Sequence, residues 1–115
     1  MQILLKDIVL EGFHGVHDYE RKIGTNFKID ITIEMKESVI KELDDTIDYV
    51  KVYNILKEEF KKTEHLLEVL ADRILNKIAS VFQNIIQIDI TIFKLNPPIQ
   101  SFEGKVGVRK TKIIN

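Results

Sequence analysis

Alternation of apolar and polar residues predicts four β-strands. Residues 27–36 alternate without a break, with apolar side chains at every odd position, so this strand has one buried face. Residues 86–94 repeat the pattern, and residues 105–113 repeat it more weakly. Along residues 3–11 the alternating apolar residues change from odd positions to even positions across Lys6-Asp7, which predicts a bulge or twist at that point.

Helical periodicity fills the middle of the chain. Residues from about 49 to 62 carry apolar side chains at helical spacing, and Asp48 is the candidate N-cap. A second helical pattern runs from about residue 64 to 83, with Thr63 as its candidate cap. Its apolar stripe comprises Leu67, Leu70, Ala71, Ile74, Ile78 and Phe82.

The order of elements predicts an α+β fold. Two strands, two helices and two strands follow one another, with no linker or repeat, so residues 1–115 form a single domain. The expected architecture is a four-stranded antiparallel sheet with both helices on one face. Such a sheet leaves two long edges that must be covered, charged or paired. Edge-to-edge joining in a homo-oligomer is therefore a hypothesis, and charged edges are the simpler alternative.

Composition narrows the functional classes. The chain has 17 basic and 18 acidic residues, a balance that gives no sign of a nucleic-acid partner. It has no cysteine, which excludes disulfides, thiolate metal sites and a cysteine nucleophile, and which fits a reducing compartment. No apolar run approaches the roughly 18 residues of a membrane helix, and the N-terminus lacks a signal-peptide pattern. These features predict a soluble, cytoplasmic protein without a membrane partner.

A long connection, residues 11–24, joins the first two strands. Long loops in compact domains are often functional, but chemistry alone favours a solvated charged loop, with Glu20 among other charged residues. His14 and His17, with His65, raise the question of a catalytic zinc. Positions three apart point to opposite faces of a strand, and the two nearby glycines oppose a helix. We therefore predict no metal site.

Two side chains near the predicted helix starts are candidates for a binding site. Tyr49 is either a core-facing aromatic residue, because Tyr53 repeats it one turn later, or part of a polar pocket. Glu68 lies at the border of the apolar stripe near a helix N-terminus, where an anion is favoured. It either stabilises that helix or accepts two parallel N–H bonds from a flat heterocycle with an amidine-like edge.

Lys94 ends an apolar row that carries Ile88, Ile90 and Ile92. A lysine at a strand terminus usually turns its amine to solvent. If it faces a cavity instead, desolvation lowers its pKa and makes it a candidate general base. Pro97-Pro98 then ends the strand, and the sequence leaves open whether either peptide bond is cis.

Four segments together resemble the dihydroneopterin aldolase family. They are "GFHGVHDYERKIG", "DDTIDYVKVY", "LLEVLADRI" and "KLNPPI", in the family's order and spacing over nearly the whole chain. The resemblance implies a tunnelling fold, in which the sheets of neighbouring subunits join into a barrel, in tetrameric rings or octamers. It implies a retro-aldol cleavage of 7,8-dihydroneopterin in folate biosynthesis, at sites between subunits and without metal, cofactor or Schiff base.

The resemblance also implies roles for five residues. Glu68 anchors the pterin's 2-amino and N3 groups, and Leu67 offers a backbone contact. Lys94 serves in general acid–base proton transfer. Tyr49, from the neighbouring subunit, handles a side-chain hydroxyl proton and the later protonation, and Glu20 helps to position the side chain and water. Gln100-Ser101 departs from the Pro-Gly or Gly-Gly that follows in many members.

Three alternatives remain open from sequence. A dihydroneopterin triphosphate epimerase of the same fold would need basic residues for the triphosphate, such as Arg21, Lys22 and Lys105. A zinc-dependent pterin synthase is disfavoured by the histidine spacing. A catalytically silent pterin-binding or scaffold ring is not excluded by composition, although it has no need for Lys94.

Overall fold

The four predicted strands form one antiparallel sheet in the order β1-β2-β3-β4. The structure is a computed structural model that describes residues 1–37 and 39–114. The strands are β1 (Gln2–Gly12), β2 (Thr25–Met35), β3 (Ile85–Lys94) and β4 (Val106–Ile113). The predicted strand positions are confirmed to within two residues at every end, and the two most regular strands lie at the centre of the sheet.

The predicted bulge lies in β1. The register against β2 shifts between Leu5 and Ile8, and Asp7 there has a φ of 58°. Its N–H donates to Asp30 Oδ1 at 2.6 Å, and its carboxylate pairs with Lys28 Nζ at 2.9 Å. These contacts hold the extra residue in place and keep the apolar face directed inward on both sides of the bulge.

The two long helices begin differently from one another. Helix α2 (Tyr49–Phe60) begins after Asp48, whose side chain accepts a hydrogen bond from the Val50 N–H, so the predicted N-cap is confirmed. Helix α3 (Leu67–Val81) begins later than predicted, after Leu66, and has no side-chain cap. The prediction of Thr63 as its cap was wrong, because residues 61–66 form a connection between the helices instead. We number α2 and α3 after a short helix α1 (Asp18–Ile23), which sequence periodicity did not reveal.

The core lies between one face of the sheet and both long helices. Helix α3 packs over β3 and β4, and helix α2 packs over β1 and against α3. The buried apolar side chains are Phe27, Ile29, Ile31, Ile33, Met35, Ile47, Val52, Leu56, Phe60, Leu67, Leu70, Ala71, Ile74, Leu75, Ile78, Ile85, Ile88, Ile90 and Ile92. Five of the six predicted stripe residues of α3 are buried, and the sixth, Phe82, ends the helix. This agrees with the predicted fold class, with both helices on one face.

The opposite face of the sheet and the two outer strands are polar or exposed. Every residue of β4 except Val108 and Lys112 is exposed, and β1 exposes Leu4 and Val9. The described part of the chain contains no helix long and apolar enough to cross a membrane.

Candidate active site

A buried ion pair lies at one end of the sheet. Lys94, the last residue of β3, sits beside Phe27 of β2, and its Nζ lies 2.7 Å from Oε2 of Glu20 in α1. Only 6% of the Glu20 side chain and 15% of the Lys94 side chain are exposed. The lysine that ends the isoleucine row is therefore largely shielded from solvent, and its amine meets a carboxylate 74 positions earlier in the chain.

This arrangement overturns the expectation that residues 11–24 form a solvated loop. The segment contains α1, whose Glu20 is buried. The His17 N–H donates to Glu20 Oε1 at 3.2 Å. Arg21 Nη1 donates to the carbonyl oxygens of Gly15 and Val16 at 2.8 and 2.7 Å, which folds the loop back onto the helix.

The surroundings of Glu20 keep its carboxylate ionised. Burial raises its pKa, but hydrogen bonds from Lys94 and the His17 N–H, together with the positive charge of Lys94, bring the pKa below its ordinary value. The site therefore holds a fixed negative charge against an amine.

A small cavity opens next to this pair. It has a volume of about 170 Å³ and is lined by Tyr19, Glu20, Ile23, Gly24, Thr25, Asn96 and Pro98. The cavity lies between α1 and the turn that follows β3. The structure describes no cis peptide bond, so the bonds before Pro97 and Pro98 are both trans.

Leu67 and Glu68 lie at the same end of the molecule as the ion pair. They are the first two residues of α3; Leu67 is buried, and Glu68 is exposed. Phe60, at the end of α2, packs edge-on against Phe27, the cross-strand neighbour of Lys94, with ring centroids 5.4 Å apart. The start of α3 follows Phe60 closely in the chain, so this helix begins at the same end of the molecule as the ion pair.

Tyr49 lies elsewhere in the protomer. It is the first residue of α2 and is 65% exposed, so the expectation of a core-facing aromatic was wrong. Phe60 is eleven residues further along the helix, about 16 Å away along its axis. One protomer does not bring Tyr49 and Lys94 together.

A larger cavity lies at this other end of the sheet. Its volume is about 260 Å³, and its lining includes Met35, Asp48, Lys51, Phe82 and Asn84. It lies at the start of α2, beside Asp48. Its lining includes none of the five residues to which the family resemblance assigns a role. We therefore place the candidate active site at the Glu20–Lys94 end.

The histidines do not form a metal site. Within residues 1–37 and 39–114, no group of three or more His, Asp or Glu side chains is placed to hold a metal ion. His14 is fully buried against Phe27 and Phe60, whereas the ring of His17 stacks on Tyr19 with centroids 5.5 Å apart. Sequence reasoning found His14 only as a metal candidate and missed its packing role, for which the neighbouring glycines were the available signal.

The fold and this site together define a class of protein. It is an α+β domain of order ββααββ with a buried lysine–carboxylate pair at the end of its central strands. A family model described as FolB, dihydroneopterin aldolase, matches residues 3–111. The Bacillus subtilis (strain 168) protein named dihydroneopterin aldolase is 30% identical over 115 residues, which covers 96% of both chains. This chain belongs to the dihydroneopterin aldolase family.

Solved structures agree with the fold. E. coli dihydroneopterin aldolase in complex with neopterin matches with a TM-score of 0.82 at 19% identity, over 97% of this chain and 98% of that chain. The Burkholderia thailendensis dihydroneopterin aldolase bound to guanine matches with a TM-score of 0.79 at 14% identity, over 100% and 92% of the two chains.

Proposed function

We propose that this chain is a cytoplasmic 7,8-dihydroneopterin aldolase of folate biosynthesis. It cleaves its substrate into 6-hydroxymethyl-7,8-dihydropterin and glycolaldehyde. The observation that carries the proposal is the buried Glu20–Lys94 pair beside a cavity, at the end of the molecule where α3 begins with Leu67 and Glu68. Family membership and relatives that carry the aldolase name support the substrate.

Glu68 is the proposed anchor of the pterin ring. Neopterin and guanine, which occupy two structural neighbours, share a ring edge with a 2-amino group next to an N–H. A carboxylate accepts two parallel N–H bonds from such an edge. Glu68 is exposed and lies in the first turn of α3, so its carboxylate is free to meet a planar guest, while the backbone at Leu67 offers the second contact.

The proposed chemistry moves protons without a metal or cofactor. The C2′ hydroxyl of the substrate side chain loses its proton, the C1′–C2′ bond breaks, and glycolaldehyde leaves. The bonding electrons enter the pterin ring as an enamine, and a proton then adds at C1′. Lys94 exchanges protons in these steps, and Glu20 holds the Lys94 amine and positions water and the side chain.

Tyr49 enters the proposed site from a second protomer. It lies far from Lys94 in its own chain, and the outer strands β1 and β4 carry exposed apolar side chains such as Leu4 and Val106. Sheets joined along these strands would close a barrel without free edges. We propose a homo-oligomer, a tetrameric ring or a stacked octamer, in which the neighbour's Tyr49 handles the hydroxyl proton and the later protonation.

The first experiment is product identification with authentic 7,8-dihydroneopterin. Release of glycolaldehyde and the hydroxymethyl pterin supports the aldolase, whereas epimerised substrate without cleavage would refute it. Lys94→Ala should abolish turnover but leave pterin binding intact. Glu68→Ala should mainly weaken pterin binding, by about 1.5–3 kcal/mol for a lost charge-assisted pair.

A mixing experiment tests the shared site. Lys94→Ala and Tyr49→Phe are each expected to be inactive, but refolding an equal mixture should return about one quarter of wild-type activity, because that fraction of sites combines two intact halves. If Tyr49 and Lys94 act within one chain, the mixture stays inactive. The epimerase alternative has less support, because each basic residue named for it has a partner within the chain. Arg21 is engaged by two carbonyl oxygens, Lys22 pairs with Asp18 at 2.9 Å, and Lys105 Nζ lies 4.7 Å from the centroid of the Phe93 ring.

A further inference from the structure

His14 is a fully buried polar residue that the proposed chemistry does not use. Its ring meets Phe27 and Phe60 edge-on, with centroids 5.4 and 4.6 Å away. Burial lowers the pKa of His14 to about 4, so the imidazole is neutral near pH 7. A neutral imidazole donates through one nitrogen and accepts through the other.

The accepting nitrogen fastens two distant segments. His14 Nδ1 accepts a hydrogen bond from the Glu64 N–H at 3.1 Å, and the Gly15 N–H donates to the Glu64 carbonyl oxygen at 2.9 Å. Residue 64 lies in the connection between α2 and α3. The loop after β1 is therefore fixed to this connection through both backbone polar groups of one residue, Glu64.

The connection is itself held rigidly. Arg73 of α3 pairs with the Glu64 carboxylate at 3.0 Å and with the Glu59 carboxylate at 3.2 Å. It also donates to the carbonyl oxygens of Glu59 and Lys62, at 2.8 and 3.1 Å. The position of residue 64 is thus set by α3, the helix that carries Glu68.

The residue after His14 controls the space for Glu20. Gly15 has a φ of 154°, and a Cβ built on it would overlap the Glu20 carboxyl group. The Glu20 carboxylate thus fills the space beside the Gly15 backbone that a side chain would otherwise take, so the position of this backbone limits where the carboxylate can lie. The chain of contacts runs from His14 through Gly15 to Glu20.

We propose that His14 is a positioning residue for the candidate active site: its Nδ1 bond to residue 64 holds Gly15 where Glu20 is kept against Lys94. This inference rests on the proposed function, since it assigns His14 to the same acid–base pair. It adds a residue that touches neither substrate nor reacting atoms.

A matched pair of variants separates the hydrogen bond from packing. His14→Asn places an acceptor oxygen where Nδ1 lies, and His14→Leu has the same branched shape without an acceptor. We expect the Asn variant to stay within about threefold of wild-type kcat, and the Leu variant to lose about ten- to a hundredfold, as a small misplacement of catalytic groups does, with KM little changed.

An NMR titration of Glu20 supplies a readout that does not depend on activity. The Glu20 pKa should stay low in the Asn variant and rise towards its ordinary value in the Leu variant, because the carboxylate moves away from Lys94. Gly15→Ala should raise it in the same way. If wild type does not cleave dihydroneopterin, the titration still tests His14 while the proposed function fails.

Each outcome decides the question. A Leu variant with wild-type kcat, or with an unmoved Glu20 pKa, overturns the proposal. If the Leu variant does not fold, His14→Phe keeps the aromatic contacts without the acceptor and replaces it. Failure of both to fold, with a folded and active Asn variant, would show that the bond serves stability alone and would also overturn the proposal.

Discussion

Breaking the Glu20–Lys94 ion pair by removing one partner should destabilise the fold far more than breaking a surface pair of similar length. Removing one partner of a buried pair costs about 3–5 kcal/mol, because the other charge stays buried without compensation. The Lys94 side chain retains 15% exposure and gains some hydration on its own, so we expect Glu20→Gln or Lys94→Met to cost about 3 kcal/mol. The double variant leaves no unpaired buried charge, so it should cost no more than either single variant, which requires a coupling energy of at least about 3 kcal/mol.

The assay is urea unfolding at pH 7 of the four proteins of this cycle. Protein concentration must be equal throughout, because an oligomer's stability depends on it. The matched control is the Glu58–Lys61 pair, which has a similar distance of 3.0 Å but side chains 68% and 71% exposed. The coupling energy of this surface pair, measured by the same kind of double-mutant cycle, should be about 0.5 kcal/mol or less. A Glu20–Lys94 coupling energy no larger than that of the control would show that burial does not strengthen this pair.

The same ion pair predicts how the stability of the fold changes as the pH is lowered. The pKa of folded Glu20 lies below its ordinary value of 4.5. The stability that its ionisation contributes is therefore complete above that value and is lost as the pH falls through the folded pKa. The stability difference between wild type and Glu20→Gln should shrink below about pH 4.5, and a constant difference would count against an ionised pair.

Three further predictions concern stability. The pKa of His14 is lowered from 6.5 to about 4, so the stability that its neutral ring contributes is complete above pH 6.5 and is lost as the pH falls towards 4. In urea unfolding, the free energy of unfolding of wild type should therefore fall by about 2–3 kcal/mol more than that of His14→Asn between pH 7 and pH 4.5. Ser101 has a φ of 61°, so Ser101→Gly should raise stability by about 0.5–1 kcal/mol, while the control Gln100→Gly should lower it. A Cβ on Gly107 would overlap the Ile92 carbonyl oxygen, so Gly107→Ala should cost at least about 2 kcal/mol and speed hydrogen exchange in β4; unchanged exchange would contradict this.

The left-handed conformation of Ser101 explains how the chain accommodates a departure from the family pattern. The Phe102 N–H donates to the Ile99 carbonyl oxygen at 3.2 Å and closes a turn with Ser101 at its third position. Glycine is favoured at that position because it has no Cβ. The loop after Pro98 therefore turns without glycine, at a cost in backbone strain.

Local sequence patterns were enough to predict the sheet, the two long helices and most of the core. Strict alternation from Phe27 to Met35 and the 3.6-residue stripe of α3 each place one apolar face, and burial of these faces leaves few arrangements for the chain. The bulge at Asp7 was also visible, because a change of parity cannot be accommodated without an extra residue. Local signals of this kind depend only on neighbours within a few residues.

The surroundings of each candidate side chain depend on contacts between distant parts of the chain, which local patterns do not predict. Lys94 and Glu20 were singled out separately, but their contact joins residues 74 positions apart and has no local pattern. The same holds for the bond from His14 to residue 64, which fixes a segment that looked like a solvated loop. Thr63 failed as a cap for a related reason. The residues before α3 form a connection that makes long-range contacts of its own, and the packing that sets these contacts also sets where the helix begins.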